Sequence, residues 1–279
     1  MEWVYLNDQL VKTSEATISI DDRGFLFGLS VYESIPLFSA KPFCLDEHVS
    51  RLNNGLNQLE LGFNVKTAWL SDVIQTLCAE NKVTGDAKCY VQVTAGNCKE
   101  RNYHPDYHAP TILVRLYAWE QHALPHHAIT VEDNRYKYCQ TKSNSLLAHA
   151  IAGRKAYQAN AAEAIFILNG YVQECTTSNI FIVKNEQLFT PSSQEQLVAG
   201  VTRGWVIQYA KENGLAIESC SVSLEALYSA DEVFITASYK GIHPIFTVDQ
   251  KTIGNGRVGL ITETIMAKYA QAQHPNNRH

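Results

Sequence analysis

Hydrophobic and polar positions alternate from the start of the chain. Trp3, Tyr5 and Leu6, then Leu10 and Val11, then Ile18 and Ile20 read as short β runs, with Asn7-Asp8 as a hairpin turn. Asp21 to Gly28 reads as a loop whose glycines bracket aromatics. Val31 to Phe38 then alternates like a strand, and Pro36 places it at an edge or a bulge. The period changes at Leu45. Val49, Leu52, Leu56 and Leu59 recur at helical spacing, and Leu70, Val73, Ile74 and Leu77 predict a second helix over about 67–82. Ala87 to Thr94 and Thr111 to Tyr117 read as strands. They are separated by a long loop, Ala95 to Pro110, of a length often tied to function.

A polar run with a proline, about residues 120–127, predicts a linker. Beyond it the pattern predicts a strand near 128–138, a helix from about Ser145 to Asn160, and a buried strand from Ala164 to Leu168. Asn169-Gly170 is a hairpin turn, with a return strand through Glu174. Another hairpin spans 178–190. A helix runs from Gly200 to about Gly214, a strand covers 216–223, and a short helix begins at Ser223. A strand from Asp231 to Thr236 and a last helix over about 257–272 complete the order. Strands cluster rather than alternate strictly with helices. The expected class is mixed α/β (α+β), with a smaller N-terminal domain over 1–120 and a larger one over 128–279 that contains Lys142.

Composition narrows the function classes. The 279 residues are 46% hydrophobic and 18% charged, as in a globular chain with a sizeable core. A net charge of −5 gives no case for nucleic acid. The apolar runs are too short to span a bilayer, and no signal peptide opens the chain. Seven cysteines at wide spacings, with no Cys-x-x-Cys, suggest reduced thiols in a cytoplasmic protein. His104 and His108 beside Asp106 come nearest to a ligand set, but no helical His-x-x-x-His context supports a metal, and none is expected.

Several stretches could carry chemistry. Lys142, between small polar residues at a strand–helix junction, is either a surface charge or an amine able to form a Schiff base. Gly200-Val201-Thr202 at a helix start suits a phosphate, or is an ordinary cap. Arg51 could make a bidentate phosphate contact, or is a solvated helix-face charge. Glu174 could hold a pyridine nitrogen protonated, with the hydroxyls of Thr176, Thr177 and Ser178 as further donors, or it ends a hairpin strand.

Taken together and in order, these pieces resemble the fold-type IV pyridoxal-phosphate enzymes: D-amino acid aminotransferases, branched-chain aminotransferases and aminodeoxychorismate lyases. The matching residues are Asp22-Arg23-Gly24 with Phe27-Gly28, Val31-Tyr32-Glu33, Glu47 to Leu52, Lys142-Ser143 with Leu146-Leu147, Glu174 with Ser178-Asn179, Gly200 to Arg203, and Asp231 to Phe234.

The resemblance implies that Lys142 carries pyridoxal 5′-phosphate as a Schiff base and moves the substrate's α-proton. It implies that Glu174 pairs with the pyridine nitrogen. Arg51, Val201 and Thr202, with Ser238 near a matching position, would hold the phosphate. Tyr32 and Arg101, with Tyr103 or His104, resemble the carboxylate trap of D-amino acid aminotransferases. The family has a histidine two places after the arginine, where this chain has Tyr103. Leu29-Ser30 replace the family's usual Asp-Gly. The implied activity is an aminotransferase acting on amino acids, D-amino acids preferred, with a 2-oxo acid as acceptor. The alternative is a lyase that releases pyruvate from aminodeoxychorismate in folate (4-aminobenzoate) synthesis, whose loop is similar to Arg101 to Pro105. Val31-Tyr32-Glu33 favours transamination. A protein that kept the fold without catalysis is disfavoured by Lys142, Glu174 and Arg51 together. Family members are usually homodimers, and the Arg101 loop could serve a neighbouring subunit.

Overall fold

The computed structural model describes residues 1–103, 109–119, 123–192 and 196–274. The chain divides into two compact units, Met1–Gln121 with Thr141–Ser145, and His122–Gln140 with Leu146–His279.

The first unit contains β1 (Trp3–Leu6), β2 (Gln9–Lys12), α1 (Arg23–Phe27), β3 (Ser30–Phe38), β4 (Lys41–Pro42), α2 (Leu45–Gln58), α3 (Thr67–Glu80), β5 (Ala87–Thr94) and β6 (Ile112–Ala118). Its antiparallel sheet has the order β2-β1-β6-β5-β3-β4. Asn7 and Asp8 both take positive φ, 49° and 64°, as a tight hairpin turn requires. In β5, Ala87, Cys89, Val91 and Val93 all point inward and are fully buried. They meet Ile35 and Leu37 of β3 and the apolar faces of α2 and α3 in one core. Pro36 is in register with Lys88 of β5, and it is tolerated because β4 pairs only with Leu37 and Phe38, so its missing N–H falls beyond that short ladder, on the side where Pro36 O accepts from Phe43 N at 2.9 Å.

Two expectations fail here. Ile18 and Ile20 form no strand and are exposed. The Asp21–Gly28 loop contains the short helix α1, because the Asp22 carboxylate caps it by accepting from the N–H groups of Gly24 and Phe25. The same carboxylate accepts from Thr94 and Thr111 at 2.8 and 2.6 Å, so it ties α1 to the ends of β5 and β6.

The segment Thr141–Ser145 groups with this unit, whereas the sequence places Lys142 in the second domain. The backbone explains the difference. Tyr32 N donates to Lys142 O at 3.0 Å, and Val31 and Ser143 form an isolated bridge. Ser30 and Thr141 add side-chain bonds to Asn144 and Gln58. Lys142 is thus an extension of the β3 edge.

The second unit contains β7 (His127–Glu132), α4 (Leu147–Gln158), β8 (Glu163–Leu168), β9 (Tyr171–Cys175), β10 (Asn179–Lys184), β11 (Gln187–Pro191), α5 (Val201–Glu212), β12 (Ile217–Cys220), β13 (Val222–Ser223), α6 (Leu224–Tyr228), β14 (Glu232–Ala237), β15 (Gly241–Ile245), β16 (Thr247–Val248), β17 (Lys251–Thr252) and α7 (Leu260–Gln273). One sheet runs β12-β11-β10-β14-β15 and the other β13-β9-β8-β7-β16-β17. Parallel pairs (β7 with β8, β11 with β12, β16 with β7) mix with antiparallel hairpins, as clustered strands predict.

The expected strand over 128–138 stops at Glu132 and gives way to a 3₁₀ turn, Lys137–Gln140. The Asp133 carboxylate accepts from the backbone and side chain of Arg135, which bends the chain out of the sheet. Strands β15 to β17 are absent from the sequence reading. His243-Pro244 and the two-residue strands leave no alternation to detect. Among the described residues no helix is long and apolar enough to cross a membrane.

Candidate active site

Within the first unit, the sequence-predicted residues Tyr32, Arg51 and Lys142 come together around β3. Lys142 Nζ lies 4.4 Å from the centroid of the Tyr32 ring, over its face. Lys142 is half-buried, held by the backbone bonds that extend β3. The Tyr32 ring also packs on Tyr90, whose hydroxyl accepts from Asn144 at 2.9 Å. Two residues from the lysine, Asn144 therefore fixes the loop on both sides, through Ser30 and through Tyr90.

Arg51 is not a solvated helix-face charge. Its guanidinium holds Glu33 by two bonds, Nε to Oε1 at 2.6 Å and Nη2 to Oε2 at 2.8 Å. His48 Nδ1 lies 2.6 Å from Glu33 Oε2. Burial alone would raise the Glu33 carboxyl, but the Arg51 charge and hydrogen bonds, with His48, hold it well below the usual carboxylate range. Burial pushes the His48 imidazole down, against the pull of Glu33, while Arg51 and Lys142 lower it further. The group is a fixed anion between a cation and a neutral imidazole. Its effect is to aim Arg51.

Arg101 and Tyr103 gather on Phe27. The Arg101 guanidinium carbon lies 4.9 Å and the Tyr103 ring 4.8 Å from the Phe27 ring centre. Tyr103 is exposed. His104 lies outside the described residues, as do His108 and Asp106.

In the second unit, Glu174, one residue before the end of β9, is buried. Arg135 Nη1 donates to Glu174 Oε1, and the N–H of Val198 donates to Oε2 at 3.1 Å. Asp133 receives two bonds from the same guanidinium, Nε at 2.9 Å and Nη2 at 2.7 Å. Burial works against the Arg135 charge, but Asp133 and Glu174 hold its pKa above the ordinary value. The Glu174 carboxyl group is therefore held in a fixed orientation. The sequence reading missed Arg135 and Asp133. Two opposite charges two residues apart at the end of a predicted strand were the available signal.

Val201 and Thr202 open α5, whose N-cap Gly200 supplies no side-chain acceptor for the first turn. A Cβ on Gly200 would stand 2.1 Å from Asn179 Oδ1. Asn179 Nδ2 donates to Val198 O at 2.8 Å, so Asn179 pins the chain that leads into α5. The Thr202 hydroxyl lies 3.1 Å from the Tyr269 hydroxyl. Ser238 sits half-buried in the turn between β14 and β15.

The hydroxyls after Glu174 do not serve as free donors. Thr176 and Thr177 (2.5 Å) and Ser178 (3.0 Å) all donate to the fully buried Glu163, which also binds Lys240. An ionised carboxylate only accepts, so these protons are already used.

Each unit by itself holds groups of a kind that pyridoxal 5′-phosphate uses. The uncapped helix start backed by Gly200 offers N–H groups to an anion. The oriented Glu174 carboxylate offers an acceptor to a protonated ring nitrogen, and Lys142 offers an amine to a carbonyl. In the second unit, Val201 and Thr202 are the residues present that could take a phosphate.

Comparison with known proteins identifies the family. Residues 30–248 match the family model for amino-transferase class IV. A D-alanine aminotransferase of Listeria innocua is 36% identical over 267 residues, covering 93% of this chain and 92% of that protein. Among solved structures, the branched-chain amino acid aminotransferase from Escherichia coli superposes with a TM-score of 0.89 at 25% identity, covering 97% of this chain and 93% of that one. The branched-chain aminotransferase of the archaeon Thermoproteus uzoniensis, solved with norvaline, shares the fold, with a TM-score of 0.87 at 22% identity over 99% of this chain and 96% of that one. A further branched-chain amino acid aminotransferase of the same fold, with a TM-score of 0.89, was solved with pyridoxamine 5′-phosphate.

Proposed function

The chain belongs to the class IV aminotransferases, pyridoxal-phosphate enzymes that move an amino group between an amino acid and a 2-oxo acid, and we propose that its own amino donor is a D-amino acid, D-alanine among them. The observation that carries this reading is the Tyr32 ring set against Lys142 Nζ at 4.4 Å. A phenol beside the reactive amine is placed to meet a substrate carboxylate there. The D-alanine aminotransferase relatives support the same choice.

Pyridoxal 5′-phosphate, when bound, supplies an electrophilic carbonyl and a ring that accepts negative charge from the substrate carbon. Lys142 would hold it through its amine and, as a free base, would take and return the proton at the substrate Cα. Tyr32, beside Lys142, would bind the substrate carboxylate. Glu174, held by Arg135 and Val198, would pair with the ring nitrogen and favour its protonated form. By the family resemblance Val201 and Thr202 would hold the phosphate, Arg51 would add a contact, and Ser238 would join that set. Glu33 and His48 aim Arg51. Arg101 and Tyr103, with His104, would bind the substrate carboxylate, and the exposed setting of Arg101 and Tyr103 suits service to the site of a second copy.

We take the enzyme to be a cytoplasmic homodimer. Exposed Leu147 and Ile151, four residues apart on α4, and exposed Ile20 and Phe25 are apolar side chains that a partner would cover. All seven cysteines are free thiols, which suits a reducing compartment.

The test is product formation. D-alanine with 2-oxoglutarate should give pyruvate only when both are present, and L-alanine should give far less. Pyruvate from aminodeoxychorismate with no amino acceptor would replace this reading with the lyase.

A further inference from the structure

Tyr269, on α7, has no part in the mechanism above. It is 3% exposed, as is Thr202, and the two hydroxyl oxygens lie 3.1 Å apart. The Tyr269 ring meets Trp205 of α5 edge-on, with centroids 4.9 Å apart, so packing fixes where the phenol points. Either oxygen can donate in this pair.

The chemistry of an anion decides the direction. Thr202 has one hydroxyl proton, and a phosphate only accepts hydrogen bonds. When Thr202 gives its proton to a phosphate, its oxygen can take part in the other bond only as an acceptor. Tyr269 must then donate. The phenol is the more acidic hydroxyl and the better donor. Each bond in such a chain polarises the next.

We propose that Tyr269 is a positioning residue for the cofactor phosphate: it donates to Thr202 Oγ1 and so turns the Thr202 proton toward the anion. The proposal rests on the reading of Thr202 as a phosphate ligand. Tyr269 acts through Thr202 and touches neither the ring nor the substrate. Tyr269→Phe keeps the ring that packs on Trp205 and removes the hydroxyl.

The full-length protein, freed of cofactor, is titrated with pyridoxal 5′-phosphate and with pyridoxal, which lacks the phosphate, and binding is followed by absorbance. The wild type, Tyr269→Phe, Thr202→Val and the double variant are compared. Tyr269→Phe should weaken pyridoxal 5′-phosphate by about fivefold to tenfold and leave pyridoxal unchanged. Thr202→Val should weaken the phosphate ester at least as much. In the Thr202→Val background, Tyr269→Phe should add nothing. The relay is overturned if Tyr269→Phe binds the ester as the wild type does, weakens both ligands equally, or adds its full effect to Thr202→Val. If Thr202→Val itself binds the ester as the wild type does, the phosphate reading of Thr202 falls, and the relay with it.

Discussion

Glu33 and Arg51 form a two-bonded ion pair, at 2.6 and 2.8 Å, with the carboxylate fully buried and the guanidinium side chain 16% exposed. They are 18 residues apart, on a strand and on the helix that packs over it. Breaking one side leaves a charge in a poorly solvated place. Glu33→Gln should therefore cost about 3 kcal/mol of stability, read as a lowered denaturant midpoint. It should also weaken cofactor binding, since Arg51 loses its orientation. An unchanged midpoint would mean that the pair contributes nothing net.

The same pair sets an acid limit. The folded Glu33 pKa lies below its ordinary value of 4.5. Below pH 4.5 the unfolded chain takes up the proton first, so the stabilisation is complete above that pH and is lost as pH falls through the folded value. His48 behaves with the same sign. Its folded pKa lies below 6.5, so its contribution is lost as pH drops below 6.5. Denaturation curves across about pH 3 to 8 should show both losses. Glu33→Gln should flatten the lower one, and His48→Gln should flatten the part that begins near pH 6.5.

Two glycines of one helix start should respond in opposite ways. Gly200→Ala drives a Cβ into Asn179 Oδ1 and should cost about 1–3 kcal/mol, with weaker cofactor binding. Gly204, in α5, has open space around its Cα, so Gly204→Ala should stabilise by about 0.5–1 kcal/mol. Paired unfolding curves decide the matter, and equal shifts would contradict the crowding at Gly200.

Arg135 serves two carboxylates at once. Arg135→Met leaves Asp133 and Glu174 without their cation and should cost about 3–5 kcal/mol, measured by chemical denaturation. Glu174→Gln keeps the size and removes only the charge. It should retain the fold by circular dichroism and lower kcat by about 10²-fold. A Glu174→Gln enzyme of wild-type kcat would remove Glu174 from the mechanism.

Much of this was legible in the residues. The alternation of Ala87 to Thr94 and the helical spacing of Val49, Leu52 and Leu56 are local, and both elements form as their periods predict. Lys142, Glu174 and Thr202 could be named because each belongs to a short motif. Their partners could not, because partners are chosen by folding. Glu33 did leave a trace, as a charge on the inward side of β3 between Val31 and Ile35, where only a paired charge survives. Arg135 ended a strand early by bonding Asp133, a side-chain event that backbone propensity does not register. The donors expected from Thr176, Thr177 and Ser178 were already committed to Glu163, 13 to 15 residues earlier.

The most direct measurement is the site of cofactor attachment. The protein is loaded with pyridoxal 5′-phosphate, reduced with borohydride, digested, and its peptides are weighed. The account predicts one phosphopyridoxyl group on Lys142 and none in Lys142→Ala. A label absent from Lys142, or present undiminished in Lys142→Ala, would contradict it.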